Sequence, residues 1–363
     1  MGLRVGVLGV GPVGEHIVHI LRERKFPVDG EIAIMATSAR DEIIDGKSVA
    51  VQKVNADIFK HLDLVFFAGK EGAKGASMVW ADTAIKSGCV IIDNGGDFRM
   101  YPNIPLVIPE INLDAVTRET KHICNPNCST IQMAVALYPL HKAAKLRRVV
   151  VSTYQSVSGH SGAGIEQLNV ELKQVLSGEQ VQANPSIFAR QIAFNCIPHI
   201  DRFEQNGYTR EEIKMLKETR KIMGEPNLLI TATTVRVPVS VGHSESINAE
   251  FMTPMDAKRA IEILSDCRLS PGVVLLDGIY GGDVDGVVGG HATPGADPLE
   301  RRYPVPSDLE RDEWKDAVLV GRVRDDMTAP NTINLWCVSD NLRKGAATNA
   351  IQIAEGMLTR GLI

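Results

Sequence analysis

No apolar run in this sequence approaches the roughly 18 to 20 residues that cross a bilayer. The opening MGLRVGVLGV passes directly into a strand pattern, without the basic segment, apolar run and cleavage site of a signal peptide. A soluble, cytoplasmic chain with no membrane partner is the expectation. An excess of positive charge is lacking too. The 39 Lys+Arg stand against 44 Asp+Glu, a formal net charge of -5, which offers no field to draw in phosphate backbones, so nucleic acid is not an expected partner. Cysteine is sparse and dispersed: Cys89, Cys124, Cys128, Cys196, Cys267 and Cys337 do not make the dense framework of a small secreted domain. After His122, Cys124 and Cys128 no second pair follows at zinc-ligand spacing, and no metal is expected. Internal repeats and low-complexity tails are likewise missing.

What is present fills 363 residues, beyond the roughly 250 to 300 at which a single core stops growing, so two domains are expected. Residues 4–10, RVGVLGV, run into GVGPVG, after which Val13, Ile17, Ile20 and Leu21 recur at helical spacing. In this strand, turn and helix, Gly9, Gly11 and Gly14 fit G-x-G-x-x-G. Glycines let the backbone approach a pyrophosphate, and Pro12 and Val13 open a helix whose N-terminus faces the charge. A bare tight turn is the alternative reading of the glycines alone. Apolar runs in EIAIMATS, LDLVFFAG and CVIIDN continue a parallel-sheet alternation. After the second run stand Ser38 and Arg40, suited to a 2′-phosphate and hence to NADP. The alternative is a solvated loop arginine blunted by Asp41.

Beyond residue 127 the strand candidates lengthen, in RRVVVSTYQSVS, LLITATTVRVPVSV and SINAEFMT, with a helix at TREEIKMLKETRKIM, and a mixed sheet is expected. Residues 276–313, rich in Gly, Pro and acid, read as long loops. Cys128 follows Asn-Pro-Asn and precedes Ile131, Ala134, Val135 and Tyr138, spaced for one helical face that Pro139 is expected to end. At a helix N-terminus the dipole and free N–H groups stabilise a thiolate, which makes Cys128 a candidate nucleophile. On spacing alone a buried inert cysteine is an equal reading. His243 is a candidate proton handler. Arg236 lies seven residues before it on what reads as one strand, where odd spacing sends the two to opposite faces unless Pro238 or Gly242 bends the chain. A histidine satisfied at a loop and a surface arginine are the plain alternatives.

In this order, IIDNGGDFRMYPNIPLVIPEIN, NPNCSTIQM, STYQSVSGHSGAG, EEIKMLKETRKI, VRVPVSVGHSESINAEF and SDNLRKGAATNAIQIAE resemble the aspartate-β-semialdehyde dehydrogenases across nearly the whole chain. The resemblance implies an α/β fold: a Rossmann-type NADP-binding domain over 1–127, an α+β catalytic and dimerisation domain with a mixed sheet over 128–340, and a C-terminal segment over 341–363 packing back on the first domain. It implies Cys128 as nucleophile, His243 as acid/base and Gln155 orienting the acyl intermediate. Arg236 and Glu211 would grip the substrate's carboxylate and amino group, Arg99, Asn127 and Lys214 its phosphate, and Asn341 would reach toward the nicotinamide. The implied reaction is reversible, NADPH-dependent reduction of L-aspartyl 4-phosphate to L-aspartate 4-semialdehyde, by a homodimer or a dimer of dimers.

The chain departs from the family's pattern at the glycine turn, a residue shorter than usual, and at Gly95 and Gly96, where a serine pair is frequent. It also departs at Thr234, often cysteine, and at His160, where small residues are common. Rival readings are a related reductase of N-acetylglutamyl phosphate or malonyl-CoA, and a non-catalytic dinucleotide-binding sensor.

Overall fold

The structure, a computed structural model, describes residues 2–69, 72–277 and 303–363. The chain divides into two compact units, Met1–Asn127 with Gly345–Ile363, and Cys128–Lys344. Most of the 276–313 stretch lies outside the described residues. Its described end holds a short 3-10 helix at Pro306–Glu310 with Leu309 buried.

The first unit is built on strands β1 (Val5–Leu8), β2 (Ala33–Ala36), β3 (Arg40–Ile44), β4 (Lys47–Lys53), β5 (Leu64–Phe67), β6 (Val90–Asp93) and β7 (His122–Cys124). They form one sheet in the order β3-β4-β2-β1-β5-β6-β7. Every pairing is parallel except β3 with β4, a hairpin turned at Asp45-Gly46, both with positive φ. Strands β1, β5 and β6 are buried along their whole length, the continuous apolar runs that a sheet covered on both faces demands. Helix α1 (Pro12–Glu23) packs Ile17, Val18, Ile20 and Leu21 on one face of the sheet. The other face is covered by α2 (Ala56–Phe59) and α3 (Ala76–Lys86), through Phe59, Ala81 and Ala84. The short helix α4 (Pro109–Asn112) precedes β7.

The second unit opens with α5 (Cys128–Ala144), buried on nearly every side. The expected stop at Pro139 does not occur. A proline removes one backbone bond, and packing of Leu137 and Leu140 in the core carries the helix on to Ala144. Then come β8 (Leu146–Gln155), α6 (Ser161–Ser177), α7 (Arg210–Met223), β9 (Leu229–Arg236), β10 (His243–Phe251), α8 (Ala257–Ser265), β11 (Val273–Leu275), β12 (Val318–Asp325) and β13 (Thr332–Ser339). The sheet runs β11-β12-β13-β10-β8-β9 and is mixed, with β8 parallel to β9, β11 parallel to β12 and the remaining pairs antiparallel. Burial alternates along β8 and β9, as expected when one face packs on helices.

The last helix, α9 (Thr348–Thr359), belongs to the first unit, where Ala350, Ile351, Ala354 and Met357 join the core around α1. Among the described residues no helix is long and apolar enough to cross a membrane.

Candidate active site

Three strand ends of the second unit meet at one level. Gln155 closes β8 and is the register partner of Arg236, which closes the parallel strand β9. His243 opens β10, one step beyond the pairing of Ser244 with Tyr154 on the other side of β8. The single strand expected to carry both Arg236 and His243 is therefore two strands flanking β8. A turn through Pro238 and Gly242 (φ +94°) separates them and returns both residues to the same sheet edge.

The backbone of Ser156 ties the two together. Its N–H donates to His243 Nδ1 at 3.0 Å, and its carbonyl accepts from Arg236 Nη1 at 2.7 Å. Burial, with the Arg236 charge adding to it, holds the His243 pKa well below the ordinary histidine value. Burial also presses down on Arg236, opposed by Glu211 and Cys128, so the thiol lies within electrostatic reach of the guanidinium. Gly159 makes this packing possible, because a Cβ there would sit 2.7 Å from Arg236 Nη1 and 3.3 Å from His243 Cε1.

Glu211 reaches the cluster from the first turn of α7. The sequence TREE forms a capping box: Thr209 Oγ1 accepts from Glu212 N, and the Glu212 carboxylate accepts from Thr209 N. Glu212 also accepts from Thr234 N at 3.0 Å, which pins the helix start to β9. Glu211 then accepts from Gln155 Nε2 at 3.3 Å and pairs with Lys214 at 3.4 Å, while Lys214 also reaches Asp201 at 3.2 Å. Gln155 Oε1 takes a bond from Thr153, and its Nε2 faces His243 Nε2 at 3.5 Å. Cys128 is the first residue of α5 and the only residue from His122 to Leu137 that is not buried.

Asn341 was expected to travel with the returning helix toward the nicotinamide. Instead it lies in the second unit, just past β13, where its Oδ1 accepts from Ser156 Oγ, Ser158 Oγ and Gly242 N at 2.9, 3.1 and 3.0 Å. Ser156, Ser158, Gly159 and Asp201 escaped the sequence reading. They act through tertiary hydrogen bonds or through the lack of a side chain, and only the alternation of serines in STYQSVSGH hints at them.

In the first unit, Gly9 has φ +121°, and a Cβ there would lie 2.6 Å from the Ala68 backbone. A Cβ on Gly14 would lie in the Gly9 carbonyl, whereas Gly11 faces open space ahead of Pro12 and Val13. The turn is thus a cradle that side chains would fill, which fits a dinucleotide pyrophosphate. Ser38 and Arg40 stand together at the surface with Nη1 3.3 Å from Ser38 Oγ. The acid beside Arg40 is Glu42, at 2.6 Å, rather than Asp41. Buried Arg99 donates to the Asn94 carbonyl at 2.7 Å, and Asn127 is also buried. His160, near the Arg236 cluster in sequence, packs its ring 5.7 Å from that of Phe188.

A dinucleotide cradle on a parallel sheet, joined to a mixed-sheet unit with converging polar strand ends, defines an oxidoreductase of the semialdehyde dehydrogenase class. Two family models match it: the semialdehyde dehydrogenase NAD binding domain over residues 4–119 and the semialdehyde dehydrogenase dimerisation domain over 137–344. The chain is 41% identical over 369 residues to the aspartate-semialdehyde dehydrogenase of Aquifex aeolicus, with 100% of both covered. It is 43% identical to aspartate-semialdehyde dehydrogenase 2 of Vibrio cholerae, over 97% of this chain and 96% of the relative. The crystal structure of Vibrio cholerae aspartate semialdehyde dehydrogenase II complexed with ASA superposes with a TM-score of 0.85 at 40% identity, covering 99% of each chain. The chain belongs to the aspartate-semialdehyde dehydrogenase family, and so to the oxidoreductases of amino-acid biosynthesis.

Proposed function

We propose that the chain catalyses the reversible, NADPH-dependent reduction of L-aspartyl 4-phosphate to L-aspartate 4-semialdehyde, with release of phosphate, through a thioester on Cys128. The observation that carries this reading is the one accessible thiol in a buried run, set at the head of α5 and felt by buried Arg236. The helix N-terminus and the guanidinium both favour the thiolate. The Cys128 thiolate attacks the carbonyl carbon of the acyl phosphate, the bond from that carbon to the phosphate oxygen breaks so that phosphate leaves, and the thioester that results is more electrophilic than a carboxylate. His243, neutral at physiological pH, serves as the acid/base at the reacting centre. Gln155 orients the acyl group. Arg236 pairs with the substrate's α-carboxylate, and Glu211 faces its amino group. Lys214, Arg99 and Asn127 bind phosphate.

NADPH, held by Gly9, Gly11, Pro12, Val13 and Gly14 with Ser38 and Arg40 at its 2′-phosphate, supplies the hydride when bound. Asn341, through its bonds to Ser156, Ser158 and Gly242, keeps the His243 turn in place, and the reading gives it the nicotinamide as its cofactor contact. The reading assigns cofactor binding to the first unit and catalysis and dimerisation to the second; the chain returns to the first unit from Gly345 rather than from residue 341. The dimerisation-domain match supports a homodimer, and the reading places the enzyme in the cytoplasm.

Phosphate-dependent reduction of NADP+ by aspartate semialdehyde tests the proposal, with Cys128→Ala beside the wild type and NAD+ beside NADP+. The expected result is activity that needs phosphate, disappears with Cys128 and favours NADP+. Near-normal turnover by Cys128→Ala would refute the thioester, and equal use of NAD+ would refute the roles of Ser38 and Arg40.

A further inference from the structure

The C-terminal ends of β6 and β7 bring together three donors of different chemistry. Asp93 closes β6, Cys124 closes β7, and the two are register partners across parallel strands. His122 stands two residues before Cys124, on the same side of its strand. The ligand atoms of all three lie within 4.8 Å of one another, and all three side chains are buried. The sequence offered His122 and Cys124 without a further partner downstream. The fold supplies the third donor from upstream.

The carboxylate is already oriented for ligation. Its Oδ1 accepts from Ser77 Oγ at 2.6 Å and from Gly95 N at 2.8 Å, while Oδ2 faces His122 Nε2 at 3.1 Å. An oxygen and a nitrogen bound to one tetrahedral zinc at about 2.0 to 2.1 Å stand about 3.3 Å apart. Asp93 and His122 therefore already have nearly the spacing of a coordinated pair, with a proton where the metal would be. The ring of His122 is steadied edge-on by Phe98, with centroids 4.9 Å apart. His122 also lines an open surface groove with Ile85, Phe98, Tyr101 and Lys121, which gives an ion a way in.

We propose that Asp93, His122 and Cys124 form a binding site for a borderline-soft divalent metal, Zn2+ foremost. The mixed oxygen, nitrogen and sulfur set disfavours Mg2+ and Ca2+, which take oxygen ligands, and suits zinc with water in a fourth position. On binding, the Cys124 thiol loses its proton to solvent as the sulfur–metal bond forms. The Nε2 hydrogen of His122 is given up while Nδ1 takes one, so the ring stays neutral. Carboxylate and thiolate together balance the charge of the ion, and no redox change is involved.

Asp93 leads directly into the turn that carries Arg99, and Cys124 leads into Asn125-Pro126-Asn127. A metal joining the two strand ends would stiffen both segments. Inhibition of turnover by zinc follows only if the roles proposed above for Arg99 and Asn127 hold, whereas metal binding itself rests on neither.

The test uses Co2+ as the probe and the full chain carrying Cys128→Ala, so that the proposed nucleophile cannot ligate. Titration should give a thiolate-to-cobalt charge-transfer band together with the visible bands of tetrahedral Co2+, both displaced by Zn2+. Adding Cys124→Ser should abolish the charge-transfer band, with thermal melting in chelator unchanged to show that the fold is kept. His122→Gln, a second route should the serine variant not fold, should weaken Co2+ binding by about tenfold or more. Absence of the band, or a band that survives Cys124→Ser or is indifferent to His122→Gln, would overturn the site. Because the readout is spectroscopic and Cys128 is absent, it is independent of whether the proposed reaction is right.

Discussion

The Ser156 backbone N–H donates to His243 Nδ1 at 3.0 Å, which fixes the tautomer of a fully buried ring. An amide can only donate, so Nδ1 holds the lone pair and the neutral imidazole carries its proton on Nε2. Burial and the Arg236 charge keep the folded pKa well below the ordinary value of 6.5. The unfolded chain therefore takes up a proton that the native state refuses. The stability tied to this residue is complete above about pH 6.5 and declines as pH falls below it, by up to about 1.4 kcal/mol per pH unit. Denaturant unfolding of wild type and His243→Asn between pH 7.5 and 5 should show a shallower acid decline in the variant. Parallel profiles would mean that His243 titrates normally in the fold.

Asn341 sets the electrostatics behind the same ring. Its Oδ1 already accepts from Ser156 Oγ, and that hydroxyl lies 3.0 Å from His243 Nδ1. Asn341→Asp keeps the shape but places a carboxylate within one hydroxyl of the imidazole, which favours the imidazolium. The acid limb of kcat/KM should move upward by about one pH unit. A change in rate without movement of that limb would assign Asn341 a purely steric role.

Glu245 presents the opposite sign. It follows His243 by two residues on β10, is wholly buried, and meets Cys337 Sγ 3.5 Å from Oε2, with Gln132 of α5 close by. Burial raises its pKa well above 4.5, so the native state holds a proton that the unfolded chain has lost at neutral pH. Stability tied to Glu245 is full below about pH 4.5 and erodes as pH rises toward the folded pKa. Glu245→Gln is neutral in both states and should gain on the wild type by up to about 1.4 kcal/mol per pH unit across that window. Melting temperatures from pH 5 to 8 would show the gap widening, and a constant gap would mean that the carboxyl is ionised in the fold.

Local signals in the sequence carried the dinucleotide turn, the two-unit division and the mixed second sheet. GVGPVG between an apolar run and a helical pattern has one economical fold. The lengthening strands after residue 127 have alternation that β8 and β9 display. Less legible were features decided across the chain. Pro139 reads as a stop because propensity knows nothing of the core around α5. Arg236 and His243 read as one strand because the intervening VPVSVG is apolar enough to continue it, and only the placement of β8 between them reveals two. The β3–β4 hairpin went unread, because its side chains are mostly exposed and form no apolar run. Asn341 was misplaced for a different reason, since its neighbours in sequence cross to the first unit while its own hydrogen bonds hold it to the second.

Gly95, where the family often has serine, is explained by its neighbour Ser77. A Cβ on Gly95 would lie 2.9 Å from Ser77 Oγ and 3.0 Å from Asp93 Oδ1, and Ser77 itself donates to that same oxygen at 2.6 Å. One hydroxyl fits beside Asp93, and here α3 supplies it. Gly95→Ser should therefore overpack a buried corner and destabilise by about 1 to 3 kcal/mol, although its backbone is outside the left-handed region that would demand glycine. Ser77→Ala leaves Asp93 short of a donor and should also destabilise, by about 1 kcal/mol. Together the two changes move the hydroxyl from the helix to the turn, so the double variant should be more stable than the sum of the singles by about 1 to 2 kcal/mol. A double-mutant cycle by urea unfolding measures this coupling directly. Strict additivity would mean that the two positions do not share one hydroxyl site, and the glycine would then need another cause.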